Sequence, residues 1–276
     1  MLQSFDPTLV SLAIALIGAG AIAGLLAGVF GIGGGAVLVP VLYQFLGILQ
    51  VDEAVRMHIS IGTSLAVIVP TSLRSFVSHH KRGAVDDDLL RSYLIAVPAG
   101  VFLGALTAAF ISANSLKAVF AVIALAVAFK MLFAKESWKL GKDLPGTKGR
   151  AIAGVVIGFF SSLMGIGGGV MNNSFMTLYN RPIHQAVATS SGLGVLISIP
   201  GTIGYVIAGW GKSGLPEFSV GFINLLAVIL IIPVTIVFAP LGVKMAHALP
   251  KKTLSRAFGV FLIIVAIRFF LALNDS

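Results

Sequence analysis

The chain has 276 residues, 57% hydrophobic and only 11% charged, with a mean hydropathy of +1.02. Soluble domains carry about 25% charged residues, so the composition excludes a soluble globular domain and reads as an integral membrane protein. Nineteen basic residues against ten acidic ones leave a formal charge of +9, and the absence of cysteine removes disulfides, thiolate catalysis and cysteine metal sites.

The basic residues cluster in loops between apolar spans, which reads as positive-inside topology and not as nucleic-acid binding. The apolar runs are continuous and lack the period-two alternation of a membrane barrel, so the expected class is all-α. No cleavable signal peptide is read: Met1 to Pro7 has no basic n-region, and the apolar stretch behind it runs on.

In chain order, an apolar segment over about 8–30 ends in Gly31-Ile32-Gly33-Gly34-Gly35, and a short one follows over 36–49. Asp52, Glu53 and Arg56 mark a polar junction. Helices are expected over about 57–77, 89–111 (with Asp88 as N-cap) and 116–133, with the basic turn His79-His80-Lys81-Arg82-Gly83 after the first. Residues 136–150 form the one hydrophilic linker. The second part replays the first: a segment over 151–164, Gly165-Ile166-Gly167-Gly168-Gly169, a short segment ending at 179, and helices over about 184–208, 217–241 and 253–273. The expected organisation is a repeat over 1–135, the linker 136–150, and a second repeat over 151–276.

Glycine costs roughly 1 kcal/mol per residue inside a helix relative to alanine, so four glycines in five positions end a helix. The segments 36–49, 151–164 and 170–179 reach only about 15–21 Å, against a hydrocarbon core of about 30 Å. Each glycine-interrupted pair therefore reads either as one broken span or as a hairpin returning to its own side. Charge favours the hairpin: it gathers fifteen of the nineteen basic residues on one face and leaves Arg56, Lys117, Lys212 and Arg268 on the other. Both termini then lie outside and the linker is cytoplasmic. Three full crossings per half make the second repeat inverted relative to the first, an arrangement that recurs in transporters, whose binding sites lie at broken helices near the midplane.

A helix that starts after such a break presents N–H groups without intrahelical partners and the positive end of its dipole, an anion site. The expected substrate-binding residues are Gly33, Gly34, Gly35, Gly167, Gly168 and Gly169 in the turns, Asn172 and Asn173 in the first turn after the second break, and the hydroxyls of Thr63, Ser64, Thr189 and Ser190. Against this stands close helix packing through small residues, and hydroxyls bonded to their own helix. Arg74 and His58 are candidate gate or proton sites; a snorkelling Arg74 and an interfacial His58 are the bland readings. His79-His80 lacks a third metal ligand in view, so no metal is expected. There is no HExxH or GxSxG motif, no carboxylate pair within a span and no cofactor motif: the chain does not read as an enzyme.

The paired Gly-Ile-Gly-Gly-Gly turns, the Gly62-Thr63-Ser64 and Ala188-Thr189-Ser190 triplets and the Lys81-Arg82-Gly83-Ala84-Val85-Asp86 loop resemble the sulfite exporter TauE/SafE family over about residues 20–270. The resemblance implies transport, usually outward, of sulfite, sulfoacetate or a related organosulfonate, as a uniporter or coupled to protons; the expected location is the cell inner membrane, crossed several times. The expected partners are a small anionic substrate, the bilayer and a coupling proton, with a homo-oligomer as a further candidate. An anion channel and a non-transporting membrane scaffold are the alternatives.

Overall fold

Uninterrupted runs of Leu, Val, Ile, Ala and Phe fold into ten α-helices among the described residues (7–30, 34–133, 139–248 and 251–274) of the computed structural model. They are α1 (Pro7–Phe30), α2 (Gly35–Ile48), α3 (Glu53–His80), α4 (Asp87–Phe110), α5 (Ala113–Phe133), α6 (Thr147–Met164), α7 (Gly169–Leu178), α8 (Ile183–Ala208), α9 (Leu225–Ala248) and α10 (Lys251–Asn274), with a two-residue antiparallel pair β1 (Ser219–Val220) and β2 (Ile223–Asn224) before α9. Six helices are long and apolar enough to cross a bilayer: α3, α4, α5, α8, Leu225–Gly242 of α9 and Arg256–Leu273 of α10. Large apolar side chains such as Ile95, Phe110 and Ile229 point outward, as a lipid-facing surface requires. The protein is an all-α, multi-pass membrane protein.

Two local expectations are corrected. The helix expected from 217 begins only at Leu225, because Phe218 and Gly221 have positive φ and turn residues 219–224 into a small hairpin that buries Phe222 and Ile223. The N-cap of α4 is Asp86, not Asp88: its carboxylate accepts from the Leu89 N–H at 3.0 Å, whereas Asp88 lies within the first helical turn.

Glycines bring helices of the two halves into backbone contact, as small residues do in membranes. On α4 and α6, methyl groups at Gly100 and Gly158 would overlap the carbonyls of Val155 and Val97, and one at Gly104 would stand 2.6 Å from the Phe159 oxygen. On α1 and α9, a methyl at Gly24 would meet the Thr235 oxygen at 2.9 Å, and one at Gly242 would overlap the Leu25 carbonyl. Each pair joins the first helix of one half to the fourth of the other. Two further cross-half pairs, each made of counterpart helices, are antiparallel. In α3 and α8, Leu65 meets Gly201 and Phe76 meets Gly192; in α5 and α10, Lys117 meets Ala272, Phe120 meets Phe269 and Leu132 meets Gly259.

The second glycine-broken pair doubles back. Arg150 in the first turn of α6 and Arg181 just beyond α7 line one cavity, and the Leu140 N–H, from the segment leading into α6, donates to the Leu178 carbonyl at the end of α7 (2.8 Å). Gly34 likewise folds back onto α1, where a methyl group would stand 2.7 Å from the Ala23 oxygen.

Candidate functional site

The two glycine turns meet. A methyl group on Gly35 would overlap the Gly165 carbonyl oxygen and lie 2.9 Å from the Ile166 Cα. Gly34 and Gly168 hold equivalent places, each the N-cap of a short helix in the left-handed region, with φ of 79° and 70°. Side chains rarely adopt that conformation, which explains the repeated glycine. Neither α2 nor α7 has a side-chain cap, so no side chain takes up the N–H groups that open these helices; the Val37 N–H turns back to the Gly34 carbonyl at 3.0 Å. Beside the junction lies a small apolar cavity of about 10 Å3, bordered by Ala36, Ser161, Ile166, Gly168 and Met171, room for roughly one water. The Ser161 hydroxyl is buried there without a hydrogen-bond partner. Gly167 and Gly169 are buried in the same turn; Gly33 lies outside the described residues.

Ser64 belongs to this junction: its hydroxyl donates to the Gly165 carbonyl at 2.8 Å, tying α3 to the second turn. Asn172 and Ser190 lie one step away in a buried network. The Asn172 amide donates to Ser190 Oγ (2.8 Å), Ser190 donates to Asn173 Oδ1 (2.8 Å), and Tyr93 of α4 donates to Asn172 Oδ1 (3.3 Å). Thr63 and Thr189 do something else. Thr63 Oγ1 accepts from the Asn224 N–H and Thr189 Oγ1 from the Asp86 N–H, both at 2.9 Å. Asn224 and Asp86 are the residues whose side chains accept from the first turns of α9 and α4. Each threonine thus anchors the cap of a helix from the other half.

The two gate or proton candidates are not at the junction. Arg74 is exposed on the outer surface of α3. His58 is buried, its Nε2 at 3.0 and 3.2 Å from the carbonyls of Ala108 and Ile111, its ring stacked on Phe222 at 4.9 Å. Carbonyls only accept, so Nε2 carries the hydrogen and ties α3 to the end of α4. His80 pairs with Asp87 at 3.4 Å.

A family model described as sulfite exporter TauE/SafE matches residues 16–269. The chain belongs to the TauE/SafE family. It is similar to a probable membrane transporter protein of Haemophilus influenzae, 37% identical over 91% of this chain and 96% of the relative. A probable membrane transporter protein of Methanocaldococcus jannaschii is 30% identical over 87% and 88%, and one of Bacillus subtilis, YunE, 27% over 91% and 95%. No solved structure matches the chain significantly. The protein is a membrane transporter of this family and not an enzyme.

In this TauE/SafE protein, three polar features lie where sequence spacing gives no sign of them. Tyr93 and Ser161 sit on apolar helix faces, marked only by a hydroxyl. The Lys117 side chain is fully buried and pairs with Glu53 at 2.6 Å. Asp52 and Glu53 mark a polar junction in sequence, but nothing there shows that a lysine 64 positions on would close over one of them. An open polar cavity of about 370 Å3 lies at the end of the molecule where α4, α6 and α8 begin, lined by Asp86, Asp87, Asp88, Arg150, Arg181 and Gln185.

Proposed function

We propose that the protein exports a small sulfur-containing anion, such as sulfite, sulfoacetate or a related organosulfonate, by alternating access. The observation that carries this reading is the contact between Gly35 and the Gly165–Ile166 turn. It sets the start of α2 against the turn that leads into α7, so that the N-terminal ends of α2 and α7, with Ala36, Gly168 and Val170, border one cavity and two dipole ends bear on one place. Ser161 and Ser64 add hydroxyls to that place. Among the described residues it holds no carboxylate, so an anion meets no like charge there. The cavity has room for roughly one water, and a carrier of this kind widens it to one side at a time.

The antiparallel pairs α3/α8 and α5/α10 support two inverted repeats with the junction near the midplane. The basic face, with the 136–150 linker and the Arg150–Arg181 cavity, is then cytoplasmic in an inner membrane, and both termini are outside. The glycine-packed pairs α1/α9 and α4/α6 are the rigid bodies of the cycle, so the moving parts are cross-half pairs and not the two repeats.

The test is flux in proteoliposomes with sulfite, sulfate, thiosulfate, sulfoacetate and isethionate. The expected result is saturable flux of at least one sulfite- or sulfonate-type anion. Flux of none of them refutes the substrate class, and non-saturable conductance refutes a carrier in favour of a channel. Replacing Gly34 or Gly168 by alanine does not separate binding from folding, because both positions are left-handed and without room for a methyl group. Ser161→Ala, which removes an unpartnered hydroxyl and adds no atom, tests the junction with less disturbance.

A further inference from the structure

Two turns of helix separate the apolar cavity from a buried charge. The cavity is bordered by Ala36 of α2, Ala124 of α5 and Leu262 of α10. Seven positions from each along its own helix stand Tyr43, Lys117 and Phe269, a rise of about 10 Å. All three steps lead toward the end of the molecule opposite the Arg150–Arg181 cavity. An aromatic layer fills this second level: the Phe269 ring meets Tyr43 edge-on at 5.3 Å and, one turn nearer the cavity, Phe120 at 5.2 Å. Beyond this layer the fully buried Lys117 ammonium stands 2.6 Å from Glu53 Oε1, 3.3 Å from the Ala272 carbonyl and 5.8 Å from the centre of the Tyr43 ring.

Glu53 is a partner of a particular kind. Its side chain is 43% exposed, and it reaches inward from the first residue of α3 while also accepting from the Tyr43 hydroxyl at 3.1 Å. Arg56 holds a second cation 5.4 Å from the same ring and donates to the Val51 carbonyl at 3.1 and 2.7 Å. The cluster contains two cations and one carboxylate. A buried ammonium whose one strong acceptor is tethered at the solvent edge is an anion site with a replaceable occupant. Replacement by another anion costs little, because the lysine is never left buried and unpaired, the outcome that is expensive.

We propose that Lys117 is the outer anion site of the transport path. A small oxyanion that passes the Tyr43–Phe120–Phe269 layer takes the place of the Glu53 carboxylate on the Lys117 ammonium before release. This rests on the transport reading above and adds the route, the residue and the counter-ion. With no anion in the path, Glu53 keeps the lysine neutralised and the outer end closed.

The experiment uses the full-length protein and sulfite as the probe, in gluconate buffer, with two readouts: proteoliposome flux and thermal melting in detergent. In Glu53→Gln the tethered carboxylate is gone, so sulfite raises the melting temperature by more than it does in wild type. Glu53→Gln/Lys117→Met loses that shift. The swapped pair Glu53→Lys/Lys117→Glu keeps an ion pair and melts near wild type, but places a carboxylate in the path and lowers flux about tenfold or more. Flux at the wild-type rate in the swapped protein, or equal sulfite shifts in the single and double variants, overturns the proposal. If Glu53→Gln does not fold, Glu53→Asp retracts the carboxylate by one methylene, and half-maximal flux is then expected at lower sulfite; an unchanged or higher value overturns the proposal. Wild type that moves no sulfur anion refutes the transport reading instead, while the melting shifts still decide whether Lys117 takes an anion.

Discussion

Thr63 and Thr189 are the residues at which a substrate-binding role and a structural role make opposite predictions. In each, Oγ1 accepts the backbone N–H of a helix-capping residue from the other half, Asn224 or Asp86, at 2.9 Å. Valine has nearly the same shape and no acceptor, so Thr→Val strands that N–H. A buried donor left unsatisfied costs about 1–3 kcal/mol. The Asn224 N–H is buried, which places Thr63→Val at about 2–3 kcal/mol. Asp86 borders the open polar cavity, from which water reaches its N–H, so Thr189→Val falls near 1 kcal/mol. At about 2–4 °C per kcal/mol for a chain of this order of size, the expected drops in melting temperature are about 4–12 °C and 2–4 °C. Thr→Ser keeps the acceptor and loses one methyl group, about 0.8 kcal/mol at either site. The assay is thermal melting of purified protein beside proteoliposome flux. A Thr63→Val protein that melts like wild type but has lost transport refutes the capping account and returns Thr63 to the substrate. The two sites share no partner, so the double variant is expected to show the sum of the two losses within about 0.5 kcal/mol.

Gly35→Ala is expected to abolish folding or accumulation in the membrane, since its methyl group overlaps a backbone carbonyl that cannot rotate away. Gly18→Ala in α1, with nothing within 4 Å of the added carbon, is expected to stabilise by up to about 1 kcal/mol; comparing expression and melting of the two checks both. His58→Gln keeps a donor for the end of α4, so its pH–flux profile is expected to match wild type, whereas His58→Ala loses about 1–2 kcal/mol. A displaced pH profile in His58→Gln would restore the proton-site role. Ser64→Ala removes the bond to the Gly165 carbonyl and is expected to lower both melting temperature and flux, by about 1 kcal/mol in stability.

The six long spans and the two glycine breaks are legible in the sequence because they depend on local features: uninterrupted apolar runs, and glycine where side chains do not fit. The start of α9 is misread because residues 217–224 are as apolar as a helix start, and nothing in hydropathy reports the positive φ of Phe218. At the site, the glycines and the Thr-Ser pairs stand out by repetition, but repetition does not say what a side chain bonds to. Thr63 finds its partner 161 residues away and Thr189 finds its own 103 residues away. Lys117 and Glu53 belong to different helices, so only the fold shows that the lysine is buried and that the carboxylate leans over it. Ser161 is one of many small residues on α6, distinguished by having no partner.

The close pairing of α1 with α9 and of α4 with α6 makes the two halves of the chain interlaced. Each half lends its leading helix to the other and borrows one in return. A fragment ending in the linker would leave the glycine faces of α1 and α4 bare, with backbone carbonyls spaced for partners that are missing. Two such fragments made separately can rebuild the molecule only by weaving through each other, so the smallest unit that folds is the whole chain or two complementary pieces inserted together.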